Sequence, residues 1–126
     1  MSWQSYVDNN LVGTGFVTKG AIFGLNGAQW CTSAGFQISG PESQAFIAAF
    51  NDPSGLRASG LFIAGEKYLV LRADERSVYG KKGTGGSVLV KTNQCVLIGL
   101  YNETIQPGQC ANTVERLADY LIESGY

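Results

Sequence analysis

Histidine is absent from this chain of 126 residues. Its absence removes the commonest general base, the imidazole metal ligand and every catalytic triad that depends on one. The three cysteines, Cys31, Cys95 and Cys110, are widely spaced and form no CxxC pair. Neither a disulfide framework nor a structural zinc site is therefore indicated. Cys95 opens the apolar run Cys95-Val96-Leu97-Ile98 and reads as a small buried hydrophobe. No apolar stretch approaches the ~18 residues of a membrane span, and Met1-Ser2-Trp3-Gln4-Ser5 lacks the charged-then-apolar pattern of a secretory signal, so a cytoplasmic chain is expected. The glycine-rich segment Gly80-Lys81-Lys82-Gly83-Thr84-Gly85-Gly86 fits neither the P-loop pattern nor a GxGxxG turn opening a helix, and reads as a hairpin turn. No cofactor, no metal and no enzymatic activity are expected.

With 44% hydrophobic residues the chain can build one ordinary core, and a single domain over residues 1–126 is expected. The net charge is −1, but it is unevenly spread. Lys67, Arg72, Arg76, Lys81, Lys82 and Lys91 fall in one window opposed only by Asp74 and Glu75, which gives that window +4. A positive surface on a slightly acidic protein suits an acidic partner or anionic headgroups better than nucleic acid. A merely solvated charged face is the alternative.

Ser2 to Leu11 starts with a capping serine and sets Trp3, Tyr6, Val7 and Leu11 at helical spacing. After Gly13-Thr14-Gly15, the stretches Phe16-Val17, Ala21-Ile22-Phe23 and Gln29-Trp30-Cys31-Thr32 read as a hairpin turning near Asn26-Gly27. Ser39-Gly40-Pro41 stops the sheet, and Glu42 to Phe50 reads as a short helix closed by Asn51-Asp52-Pro53. From Gly60 onward come Leu61-Phe62-Ile63, Tyr68 to Leu71, Ser77-Val78-Tyr79, Val88-Leu89-Val90 and Cys95 to Ile98. Their connections are too short for crossover helices, which makes the strands antiparallel neighbours. Val114, Leu117, Ala118, Leu121 and Ile122 form the stripe of a final amphipathic helix, begun near Pro107 and stopped at Gly125. The expected fold is α+β, a central antiparallel sheet of about seven strands with the two terminal helices on one face and a short helix on the other.

Tyr120 lies ~130° from the centre of the final stripe and should avoid the core. If both terminal helices share one sheet face, Trp3, Tyr6, Tyr120 and Tyr126 can meet, with Trp30 as a floor. Flat rings of this kind accept the preformed polyproline II helix, and Trp N–H and Tyr O–H groups reach its carbonyls. Alternatively Trp3, Tyr6 and Trp30 only pin the helices to the sheet.

The stretches Met1-Ser2-Trp3-Gln4-Ser5-Tyr6-Val7-Asp8-Asn9, Leu71 to Gly83 and Leu117-Ala118-Asp119-Tyr120-Leu121-Ile122 resemble the profilins of amoebae, slime moulds and fungi, end to end and including the N-terminal Trp-x-x-Tyr. The resemblance implies an actin-binding protein of the cytoplasm, cytoskeleton and cell cortex, a monomer holding monomeric actin 1:1 and promoting its nucleotide exchange. It implies that Trp3, Tyr6, Trp30, Tyr120 and Tyr126 bind proline-rich segments of formins and related assembly factors. It implies an actin face at Lys67, Arg72, Lys81, Lys82, Lys91, Gly108, Asn112, Glu115 and Arg116. It further implies phosphatidylinositol 4,5-bisphosphate binding through Arg72, Arg76, Lys81 and Lys82. Animal members carry histidine where Tyr120 stands, and many carry arginine where Gly80 stands. The competing expectations are a polyproline and lipid module without actin binding, or a PAS-like or roadblock-like scaffold.

Overall fold

The computed structural model describes residues 2–126. Met1, the first residue of the profilin-like opening stretch, lies outside them. The chain begins with the short helix α1 (Trp3–Ser5), capped by Ser2 Oγ, which accepts from the Ser5 N–H at 3.2 Å. The helix then widens to a π-helical stretch, Tyr6–Leu11, and tightens to a 3-10 turn, Val12–Thr14. The sequence pattern foresaw a regular helix here. The wider turn still buries Val7 and Leu11, the two apolar positions one turn apart.

Strands β1 (Lys19–Gly24) and β2 (Gln29–Thr32) form the first hairpin. Phe16 and Val17 precede β1 rather than opening it. Helix α2 (Gly40–Ala48) starts earlier than expected. Pro41 sits in its first turn, where a missing N–H costs nothing, and Ser39 and Glu42 cap each other's backbone N–H groups. A further helix, α3 (Ser54–Ser59), was not foreseen. It is six residues long and buries only Leu56, too little for a periodic signal.

Strands β3 (Leu61–Ile63), β4 (Glu66–Ala73), β5 (Ser77–Lys82), β6 (Gly85–Lys91) and β7 (Cys95–Tyr101) follow. The seven form one antiparallel sheet in the order β2-β1-β7-β6-β5-β4-β3. The glycine-rich segment closes the β5–β6 hairpin, with Lys82 paired to Gly85. The last helix, α4 (Pro107–Glu123), buries Cys110, Val114, Leu117, Ala118 and Leu121.

Strand alternation sorts the apolar residues into two cores. On one face Ile22, Val88, Val90 and Leu97 pack beneath Val7, Leu11 and the α4 stripe. On the other, Phe23, Val78, Leu89 and Ile98 pack against Phe46, Phe50 and Leu56 of the middle helices. Gly99 of β7 permits the close crossing of α4, since a Cβ there would lie 2.6 Å from Val114 Cγ2. Helix α4 lies over β6 and β7, so the β3–β5 end of this face carries no helix.

Glu42 ties α2 to the β3–β4 turn. Its Oε1 accepts from the N–H groups of Ser39 at 2.9 Å and Ala64 at 3.1 Å, and its Oε2 from that of Gly65 at 2.8 Å. Burial alone would raise this carboxyl, but these bonds outweigh it and hold Glu42 below its ordinary value. A depressed carboxylate stabilises the fold above its unfolded value and stops doing so as pH falls through the folded one. Glu42→Gln should cost about 1 kcal/mol at neutral pH. Urea denaturation at a series of pH values should show that difference shrinking below about pH 4. A constant difference down to the acid limb would contradict the assignment.

Candidate functional site: an aromatic trough and a basic sheet face

Trp3 is the centre of the ring cluster. Its ring centroid lies 5.6 Å from Tyr6, 4.6 Å from Trp30 and 5.0 Å from Tyr126. Tyr6 continues the row to Tyr120 at 6.1 Å. All five rings named from sequence thus lie in one contiguous cluster. Trp3, Tyr6 and Trp30 are half-buried against the core, whereas Tyr120 is 51% and Tyr126 40% exposed. The rings therefore form a row exposed at Tyr120 and Tyr126 that also anchors the helices, and the two readings of the sequence are compatible. Burial, and then the neighbouring Tyr120 phenol, push the Tyr6 hydroxyl above its ordinary pKa, so it is a neutral donor at physiological pH.

Local structure fixes each ring. Gln4 Nε2 donates to the Thr32 carbonyl at 2.7 Å, and Cys31 Sγ to the Trp3 carbonyl at 3.3 Å, fastening the first helix to β2 and Trp3 beside Trp30. The opposite wall comes from the end of α4. Gly125, at φ +95°, allows a Schellman turn in which Tyr126 N–H donates to the Leu121 carbonyl at 2.8 Å and Gly125 N–H to that of Ile122 at 3.1 Å. The main-chain oxygen of Tyr126 then accepts from Gln94 N–H at 2.6 Å and Thr92 Oγ1 at 2.9 Å. These bonds turn the last residue back onto Trp3.

The three cysteines are buried free thiols. Burial pushes Cys31 up to about 11 and Cys110 to about 12, and raises Cys95 as well. None is a nucleophile at neutral pH.

The basic residues are less uniform than their sequence window implied. In β5 the side chain of Tyr79 packs on the α4 side of the sheet and that of Val78 on the other, so alternation sends Lys81 with Tyr79 and Lys82 with Val78. Lys82 forms an ion pair with Glu66 on that far face, and Lys91, one step beyond Val90, also points there. The helix-free end of the α4 side holds Lys67, Arg72 and Lys81, interspersed with exposed Phe62 and Leu69. Sequence reading put both in strands, Leu61-Phe62-Ile63 and Tyr68 to Leu71, without assigning either to the exposed face that alternation gives it.

Several cations are already paired. Arg72 Nε and Nη2 donate to Asp74 Oδ2 at 3.0 and 2.9 Å, and its guanidinium lies 5.5 Å from the Tyr79 ring centroid. Arg76 bridges Glu115 at 3.0 Å and Asp119 at 2.8 Å. Glu115 also accepts from Ser77 Oγ at 2.8 Å and Tyr79 Oη at 2.6 Å, which makes it the tie between α4 and β5. Burial, followed by this bond to Glu115, pushes the Tyr79 phenol up to about 12. The +4 of the window is thereby offset by Glu66, just outside it in sequence, and by Glu115 and Asp119, which are distant. Among the described residues Lys67, Lys81, Lys91 and Arg116 have no carboxylate within 4.0 Å.

Helix α4 divides its site residues between two flanks. Gly108 and Glu115 follow the side toward β5, at ~100° per residue, Asn112 stands on the outward ridge between the flanks, and Arg116 leans to the Tyr120 side. There Arg116 lines a recess with Tyr6, Phe16, Thr113 and Tyr120. No helix among the described residues is long and apolar enough to cross a membrane, and no group of three or more potential metal ligands occurs among them.

A protein-family model described as Profilin matches residues 1–126. Profilin-1A of Acanthamoeba castellanii is 57% identical over 126 residues, covering 100% of both chains. The solved structure of Acanthamoeba castellanii profilin IA superposes with a TM-score of 0.97 at 57% identity, covering 99% of this chain and 100% of that one. Mouse profilin IIa, solved in complex with a double repeat from the FH1 domain of mDia1, superposes with a TM-score of 0.80 at 25% identity over 100% of each chain.

Proposed function

Because the chain belongs to the profilin family, we propose that it binds monomeric actin 1:1 on the helix-free sheet face and proline-rich segments in the aromatic trough. The observation that carries this reading is the single open row of Trp3, Tyr6, Trp30, Tyr120 and Tyr126, separated by the breadth of α4 from Lys67, Arg72 and Lys81. The mouse relative's FH1 complex supports proline-rich segments of formins and related assembly factors as trough ligands. Exposed apolar residues within a basic rim suit a protein partner: Phe62 and Leu69 would be desolvated, and Lys67, Arg72 and Lys81 would orient an acidic surface. Gly108 and Asn112 on α4 would flank that contact. Glu115 serves it indirectly, by holding the helix, while Lys82 and Lys91 would reach only a partner that wraps the sheet edge.

Holding actin and a proline tract at once raises the local monomer concentration at a growing filament. Faster nucleotide exchange would be a conformational effect on actin, and this chain is a binding protein rather than an enzyme, acting as a monomer in the cytoplasm and at the cell cortex. A phosphatidylinositol 4,5-bisphosphate headgroup at Arg72, Arg76 and Lys81 would compete with Asp74, Glu115 and Asp119. Lipid attachment is thus weak, salt-sensitive and exclusive of actin.

Paired titrations with monomeric actin and a proline decamer test the reading. Lys81→Glu should weaken actin about tenfold or more while leaving decamer affinity unchanged. Decamer binding without actin binding in the wild type would leave a polyproline and lipid module. Failure of both ligands would favour a scaffold.

A further inference from the structure

The trough does not end at Tyr120. Tyr6 and Tyr120 are also two walls of a recess of about 540 Å³, whose other lining includes Phe16, Leu117 and Arg116. Phe16 is 39% exposed, yet its backbone is fixed, because its N–H donates to Thr14 Oγ1 at 3.1 Å and Thr14 Oγ1 donates to the Leu11 carbonyl at 2.7 Å. Most of the recess surface is apolar, and the one charge on it is the guanidinium of Arg116, which has no carboxylate partner among the described residues.

Length sets what reaches this place. The ring steps Tyr126 to Trp3, Trp3 to Tyr6 and Tyr6 to Tyr120 are 5.0, 5.6 and 6.1 Å. A polyproline II segment rises ~3.1 Å per residue and covers that row in about five residues. A proline run whose register ends at Tyr120 sets its flanking residues at the mouth of the recess, which Tyr6 and Tyr120 also line.

We propose, resting on the proline-binding reading, that this recess is a specificity subsite for the residues flanking the proline run: an apolar side chain against Phe16 and Leu117, and next to it an Asp or Glu paired with Arg116. The aromatic rings grip any proline tract, because each ring presents the same flat face. Arg116 supplies a charge preference that the rings cannot.

The test is a fluorescence titration of Trp3 and Trp30 with five peptides: a plain proline decamer, and the decamer carrying Leu-Glu or Leu-Lys at its C-terminal end, or Glu-Leu or Lys-Leu at its N-terminal end. At one end, the Glu peptide should bind about fivefold tighter than its Lys counterpart at low salt, and the gap should narrow as salt is added. Arg116→Ala should erase the gap, Arg116→Lys should keep most of it and Arg116→Glu should invert it. Phe16→Ser should lower affinity for the Leu-containing peptides relative to the decamer. A wild type that binds the decamer but ignores flank charge at both ends overturns the subsite and leaves the trough intact. A wild type that does not bind the decamer overturns the trough itself.

Discussion

Trp3→Ala should reduce affinity for a proline decamer about a hundredfold, the loss expected at a central interface aromatic worth ~2–3 kcal/mol. Trp3 is the ring that touches three of the other four, so its removal leaves Trp30 and Tyr126 without a ring neighbour and only Tyr6 paired with Tyr120. The remaining rings hold fewer prolines than the ligand offers. The fold should survive, because Trp3 is only half-buried and its anchoring bond from Cys31 goes to the main-chain carbonyl, which alanine retains. Isothermal titration with the decamer, beside a thermal melt and an actin titration, separates the outcomes. Decamer affinity within twofold of wild type would show that the rings are structural anchors alone.

Glu115→Ala should remove about 2–3 kcal/mol of stability, because one carboxylate satisfies three partners across the α4–β5 junction. Arg76 keeps Asp119, but the Ser77 and Tyr79 hydroxyls lose their acceptor. The side chain of Glu115 is 24% exposed, so water can replace only part of what is lost. A second readout is specific to the bond. The Tyr79 phenol, held at about 12 by burial and by Glu115, should titrate closer to its ordinary value in the variant. Urea denaturation gives the first quantity and tyrosinate absorbance the second. An unchanged Tyr79 titration together with unchanged stability would mean that α4 is held by its apolar stripe alone. Proline binding should persist in this variant, since Tyr120 lies on the opposite flank of the helix, whereas actin binding should weaken as β5 loosens.

The basic window shows where one-dimensional reasoning stops. Lys81 and Lys82 are adjacent in sequence and were expected on one surface, but consecutive strand residues point to opposite faces. Applying period-two alternation from Val78 and Tyr79 would have separated them. By contrast, nothing local could have announced that Arg76 meets Glu115 and Asp119, which are 39 and 43 positions away. Phe16 was assigned to a strand from its apolar neighbour, and its role as a recess wall depends on the Thr14 turn and on α4 arriving beside it.

Local chemistry determined a good part of this protein. The spacing of Val114, Leu117 and Leu121 dictated the final helix, short turns dictated antiparallel pairing, the missing histidine removed imidazole-based acid–base chemistry, and Trp3-x-x-Tyr6 set two rings one turn apart. Tertiary structure alone decided what those elements do together. Tyr126 reaches Trp3 only because Gly125 turns the chain back, and Trp30 lies beside Trp3 only because β2 is the strand next to the first helix. Burial and charge pairing depend on distances between residues far apart along the chain, and those distances exist only after the sheet has fixed the order of its strands.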